Sequence, residues 1–154
     1  MKARKLELKD IAGYLPYGLK VMEYVFNEIH TIELDIIDNL FLNEVKPILR
    51  PLSDLYKTIT HNGKEIVPIV ELAKISTGSN SWELKYNCAI IGDDSIFDYD
   101  KEKGFIEIIN RCPQNVYRQY QLFDYLHELK IDYRGLIDAG LAIDVNTLEN
   151  NPYK

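Results

Sequence analysis

Ser95-Ile96-Phe97-Asp98-Tyr99-Asp100-Lys101-Glu102-Lys103-Gly104-Phe105-Ile106-Glu107-Ile108-Ile109-Asn110 is the stretch on which the fold class turns. Two runs rich in β-branched and aromatic residues flank five polar residues that end in glycine. That pattern predicts strands over Ser95–Tyr99 and Phe105–Asn110, joined as an antiparallel hairpin. Just upstream, Trp82 to Ile91 alternates weakly and reads as a further strand, with Gly92-Asp93-Asp94 turning the chain. Further back, His61-Asn62-Gly63-Lys64 separates Thr58-Ile59-Thr60 from Glu65-Ile66-Val67. Asn-Gly supplies the positive φ angles that a two-residue hairpin turn demands. Pro68 then fits the first turn of a helix, where its missing N–H costs nothing. Ile69, Leu72, Ala73 and Ile75 give that helix an apolar face up to about Ser76.

Near the start, Asp10 reads as the cap of one helical turn that Gly13, Pro16 and Gly18 prevent from growing. Leu19 to Phe26 is apolar and β-prone. His30 to Ile37 alternates, with Ile32, Leu34 and Ile36 on one side and Thr31, Glu33 and Asp35 on the other. A break at Asn27-Glu28 pairs these two strands. Asp38 to Lys46 is ambiguous. Pro47 and Pro51 hold Ile48-Leu49-Arg50 extended, and Ser53 or Asp54 begins a short helix. After the central strands, Asn115 reads as an N-cap for the longest helix. Val116, Tyr120 and Phe123 form its apolar stripe, widened by Leu122, Leu126 and Leu129. Asp132 caps a second helix over Arg134 to Ala139 that Gly140 ends, and Leu141 to Val145 is a last apolar run. The sum is an α+β fold, an antiparallel sheet of several hairpins packed against helices, read as one domain over 1–154. Ser76-Thr77-Gly78-Ser79-Asn80-Ser81 is its exposed, flexible loop.

Composition narrows the function classes. The chain has 154 residues, 46 % hydrophobic and 27 % charged, which is globular and excludes wholesale disorder. No apolar run reaches the ~18 residues of a membrane span. Met1 to Lys9 lacks the apolar core of a secretory signal, so a cytoplasmic location is expected. The formal charge of −6 disfavours general binding to nucleic-acid backbone. Imitation of DNA by an acidic protein is the weaker alternative, because the acids are interleaved with Lys and Arg. Cys88 and Cys112 have no CxxC partners and read as reduced thiols. His30, His61 and His127 form no HxxxH or HExxH pair.

Five candidate constellations stand out. Asp93, Asp94, Asp98, Asp100 and Glu102 include the 1-3-5 spacing of a calcium loop. Gly104 falls one position late, however, and Ile109 stands where the closing Glu belongs, so a solvated turn is the better reading. Asp35, Asp98 and Glu107 would suit two-metal chemistry only if the fold made them converge. His127 lies on an apolar helix stripe, where pairing with Cys112 or a serine is weighed against a hydrogen-bonded core role. Arg50, held between prolines with Asp54 four residues on, is placed to read a carboxylate or phosphate. Tyr supplies 11 aromatics against 5 Phe and 1 Trp, and tyrosine is common at interfaces. Tyr14, Tyr17, Arg50, Tyr117 and Tyr125 are the candidate binding residues, with Tyr117 and Tyr125 expected off the helix's main apolar stripe.

Three segments together carry a resemblance: Tyr14-Leu15-Pro16-Tyr17-Gly18-Leu19-Lys20-Val21, Lys46-Pro47-Ile48-Leu49-Arg50-Pro51-Leu52-Ser53-Asp54-Leu55, and Gly135-Leu136-Ile137-Asp138-Ala139-Gly140-Leu141-Ala142-Ile143-Asp144-Val145-Asn146. This set resembles a family of small uncharacterised proteins encoded by phages, prophages and mobile elements of gut anaerobes. The resemblance implies an accessory protein working in a bacterial cytoplasm, and brings no catalytic residue with it. The expectation is a non-enzymatic module that binds a host or phage protein through tyrosines, interfering with host machinery or defence, with no cofactor or metal. A metal-assisted phosphodiesterase and a protein that sequesters a nucleotide signal are the alternatives.

Overall fold

The structure, a computed structural model, describes residues 4–33, 37–42 and 44–154. Its first element, α1, is Leu8–Ile11. The Glu7 amide donates to Asp10 Oδ2 at 3.0 Å, so Asp10 works from inside the turn rather than as the expected cap. The chain then tightens into a 3-10 stretch, Ala12–Tyr17, which Gly18 ends at φ 68. β1 is Lys20–Glu23, β2 Glu28–Thr31, α2 Ile37–Phe41 and β3 Val45–Pro51. A 3-10 turn over Leu52–Tyr56 leads to β4, Ile59–His61, and β5, Lys64–Ile66. α3 is Pro68–Thr77. β6 (Glu83–Lys85), β7 (Cys88–Ile91), β8 (Ser95–Asp100), β9 (Gly104–Ile109) and β10 (Cys112–Gln114) follow. α4, Gln119–Glu128, precedes the two-residue strands β11, Ile131–Asp132, and β12, Ile143–Asp144. The fold is α+β, and among the described residues no helix is long and apolar enough to cross a membrane.

The chain divides into two compact units, Met1–Leu52 with Leu126–Lys154, and Ser53–Tyr125. In the first, β2, β1 and β3 pair antiparallel. β11 and β12 each add to β3 in parallel, a departure from an all-hairpin sheet. Ile11, Tyr14, Leu19, Val21, Leu40, Val45, Leu49 and Leu136 bury one face. Met22, Ile48 and Val145 pack on the other, because successive strand residues face opposite ways. Where the β1–β3 ladder stops, a side chain continues it. The Lys20 amide donates to Tyr153 Oη at 2.8 Å, and that hydroxyl donates to Ile48 O at 2.8 Å.

The second unit is built on an antiparallel sheet ordered β10-β9-β8-β7-β6. The quoted hairpin is present, with Phe97 opposite Glu107 and Asp98 opposite Ile106. Phe97, Phe105, Tyr99 and Phe123 interlock as stacked and edge-on rings. Gln119 seals the start of β9: its Oε1 accepts from the Phe105 amide at 3.2 Å and its Nε2 donates to Phe105 O at 2.8 Å. The β4–β5 turn is the expected one, with Asn62 and Gly63 both at positive φ.

Several expectations are corrected. Trp82 to Ile91 is not one strand: Tyr86 and Asn87 both take positive φ and fold it into the β6–β7 hairpin. The strand read over Leu19 to Phe26 stops at Glu23, and residues 24–27 make the turn, with Asn27 at φ 54. The strand read from His30 to Ile37 is displaced to Glu28–Thr31, and Leu34, Asp35 and Ile36 lie outside the described residues. α4 begins at Gln119, four residues past Asn115, which is therefore not its cap; the Asn115 Nδ2 donates to the Tyr117 hydroxyl at 3.4 Å. It is no longer than α3, at ten residues each. Tyr120 is turned outward, and Leu122, Leu126 and Leu129 form the buried stripe. Arg134 to Ala139 is a run of turns, because Gly135 at φ 71 interrupts any helix there. Asp132 still acts as a cap, accepting from the Leu136 and Ile137 amides at 2.9 and 2.7 Å. The loop read over Ser76 to Ser81 begins two residues later, after α3 ends. It is stitched down by Thr77 Oγ1, which accepts from the Ser79 amide and from Trp82 Nε1.

Candidate functional site

Asn110 and Arg111, at φ 48 and 65, reverse the chain between β9 and β10. The return strand leads directly to the start of α4. Gln114, Asn115, Tyr117 and Arg118 are thereby brought beside Glu107 and Ile109 of β9 and Ser76 of α3, around a cleft of about 330 Å³. That volume lies at the lower end of the range that takes small ligands or a few peptide side chains. Ser76 Oγ donates to Glu107 Oε2 at 3.0 Å, which fixes the carboxylate on one wall. Arg118 Nη1 donates to Ile75 O at 3.2 Å and ties the other wall to the last turns of α3. Tyr117 is 86 % exposed at the rim, and Tyr120 is 73 % exposed on α4. An acid, a base and an aromatic face within one concavity offer an amine site, a carboxylate site and a stacking surface.

The other sequence candidates are placed differently. Tyr14 is wholly buried and donates to Ile131 O at 2.7 Å, so it belongs to the core of the first unit rather than to a face. Tyr17 and Tyr125 are half-buried. Arg50 is only 2 % exposed. Its guanidinium donates to Tyr153 O at 3.4 Å and lies over the Tyr153 ring, which the Lys130 ammonium approaches to 5.1 Å. A buried arginine in such a packed setting does not present itself to a phosphate in solvent. Burial lowers the Lys130 pKa, with Arg50 and Lys20 adding in the same direction against Glu128. The only sequence candidate for binding that lines the cleft is Tyr117.

Two of the three carboxylates weighed for metal chemistry stand apart. Asp98 and Glu107 occupy opposite faces of the sheet, since Asp98 pairs with Ile106 and Phe97 with Glu107. Asp98 accepts from Tyr56 Oη at 2.7 Å and from the Tyr99 amide. Burial, then the Asp98 contact, drive the Tyr56 pKa up. Asp94 pairs with Arg111 at 2.6 Å. Asp100 accepts from the Glu102 and Lys103 amides, which close the β8–β9 turn and lower its pKa. Among the described residues no three His, Cys, Asp or Glu side chains group as a metal site. His127 Nε2 lies 2.8 Å from Tyr133 Oη, which also accepts from Arg134 Nε, and the Tyr14 ring packs edge-on against it. Its ring thus meets a tyrosine hydroxyl. Cys88 is half-buried and Cys112 exposed, and both are free thiols.

Compared with protein-family models, curated proteins and solved structures, the chain matches none. Glu107, Gln114, Asn115 and Arg118 were not legible together. They lie within twelve positions, but only a β9–β10 turn without glycine or proline brings them around one concavity.

Proposed function

We propose that this chain is a non-enzymatic binding module that grips a segment of a partner protein in the cleft beside Tyr117. The observation that carries the reading is the juxtaposition of the exposed Tyr117 ring with Arg118 and Glu107 around one concavity. Tyr and Arg are the residues that most often dominate protein interfaces. The separation of Asp98 from Glu107 across the sheet supports binding over a metal-assisted phosphodiesterase. Glu107 in the wall also favours a peptide over a nucleotide phosphate, which a carboxylate repels. The resemblance to proteins of phages and mobile elements fits an accessory factor in a bacterial cytoplasm, one that interferes with host machinery or defence.

The test is affinity capture from host lysate with the wild type beside Tyr117→Ala and Arg118→Glu. The same protein should be retained by the wild type and lost by both variants, each of which still melts cooperatively as a folded protein. Retention unaffected by either substitution refutes the cleft. A melting temperature that rises with magnesium or manganese would support the enzyme instead.

A further inference from the structure

The sheet of the first unit ends on β2, and its ladder shows how that edge is turned. The Ile32 amide donates to Leu19 O at 2.9 Å, so Leu19 and Ile32 form a hydrogen-bonded pair. Alternation along an antiparallel ladder then makes His30–Val21 and Glu28–Glu23 bonded pairs, with Thr31–Lys20 and Ile29–Met22 non-bonded. The other side of β1 agrees: the Lys20 amide turns away from β2 to Tyr153, and the Tyr24 amide turns to Glu44 O. The backbone N–H and C=O of Ile29 and Thr31 therefore face outward, and among the described residues no partner meets them.

The sheet of the second unit guards its edges. The Asn110-Arg111 turn makes Ile109–Cys112 the closing bonded pair, so Pro113, opposite Ile108, holds the outward position and has no N–H to offer. β6 is three residues long and carries Glu83 and Lys85, a second way of discouraging strand addition. β2 has no proline, and beside it lies a receptor for a side chain. Ile32 and Glu33 run on from β2 to a pocket of about 180 Å³ that Leu15 and Ile37 also line. Ile32 shares a strand face with His30, so a strand added at this edge presents alternate side chains on the pocket's face. Exposed Glu28 and Glu33 bracket the edge, with Glu23 behind His30, whose Nε2 lies 3.4 Å from Glu28 and 3.7 Å from Glu23.

We propose that β2 is a docking edge for an extended segment of a partner protein. The segment adds a strand through the backbone of Ile29 and Thr31, seats an aliphatic side chain in the Leu15–Ile32–Ile37 pocket, and sets basic residues against Glu28 and Glu33. Main-chain bonds then supply affinity, while the pocket and the acids supply selectivity. The surface lies on a different unit from the Tyr117 cleft, so either can fail while the other stands.

The experiment titrates the full chain with a capped eight-residue peptide of four valines flanked by two lysines at each end, so that each end sets a lysine on either face of the added strand. The same peptide with glutamate for lysine is the control. Shift changes in an amide NMR spectrum should centre on residues 28–33. At saturation the Ile29 and Thr31 amides should exchange at least ~10-fold more slowly. Thr31→Pro removes an outward N–H that the β1 ladder does not use, as Pro113 does on β10, and should weaken binding at least ~10-fold. Because that variant has its own risk of misfolding, Glu28→Lys with Glu33→Lys is the second arm, and it should switch the preference to the glutamate peptide. No binding by the lysine peptide, unchanged exchange of Ile29 and Thr31 at saturation, or equal affinity for both peptides overturns the proposal.

Discussion

Tyr153→Phe removes a single oxygen, and the structure sets the size of the effect. That oxygen accepts from the Lys20 amide and donates to Ile48 O, both at 2.8 Å, where β1 and β3 are no longer in direct register. Phe keeps the ring that lies against Arg50 and Lys130, so the cation–π contacts survive. Ile48 is wholly buried, and water cannot replace the lost donor there. A stranded buried backbone group costs about 1–3 kcal/mol. Lys20 is only half-buried, and solvent recovers part of its share. The expected loss is therefore about 2 kcal/mol, or a fall of ~4–8 °C in melting temperature for a chain of this size. Urea unfolding followed by circular dichroism should show the midpoint falling at constant slope. A loss below ~0.5 kcal/mol would mean that the hydroxyl does not bridge the strands, and would refute the reasoning.

Gly13→Ala should destabilise by about 1–3 kcal/mol, because a Cβ at Gly13 would stand 2.4 Å from the His127 ring, which its bond to Tyr133 holds in place; thermal melts of Gly13→Ala and of Gly13→Ala with His127→Ala should show the second change recovering part of the loss. Stability should fall as pH rises above about 10, since burial raises the Tyr56 and Tyr153 pKa values above the unfolded 10.0, so the folded state keeps protons that the unfolded state releases. Lys130, lowered from 10.5, works in the opposite sense just below that range, and Tyr56→Phe should flatten the alkaline fall in melts taken between pH ~8 and ~11. A thiol reagent should label exposed Cys112 first and Cys88 more slowly, because burial raises the Cys88 pKa and its Sγ donates to Lys85 O at 3.2 Å; equal rates in a time course followed by mass spectrometry would contradict this.

The elements that read clearly in the sequence are those whose geometry is spelled by a few residues with fixed backbone demands. Asn62-Gly63 spells a two-residue turn, Pro68 a helix start, and the polar run ending at Gly104 a hairpin. Where the structure uses less expected residues for the same φ, the sequence misleads. Tyr86-Asn87 and Asn110-Arg111 both take the left-handed conformation without glycine, so the one strand expected over Trp82 to Ile91 is two, and nothing in the sequence marks the start of β10. α4 shows another limit. Val116, Tyr120 and Phe123 keep helical spacing, but the actual buried stripe is set by what lies beneath it, and Tyr120 falls outside. Tyr14 and Arg50 illustrate the same gap for function. An amphipathic tyrosine or a stiffly held arginine suits an interface and a buried, hydrogen-bonded core equally well, and only the packing around Ile131 and Tyr153 decides.

The most direct test of the binding account is photo-crosslinking, in the bacterial host that the proposed function calls for, with benzoylphenylalanine incorporated at position 117. The account predicts one discrete adduct with a partner protein, lost on Arg118→Glu and absent when the probe stands at position 86 instead. The same adducts at both positions, indifferent to the charge at residue 118, would contradict it.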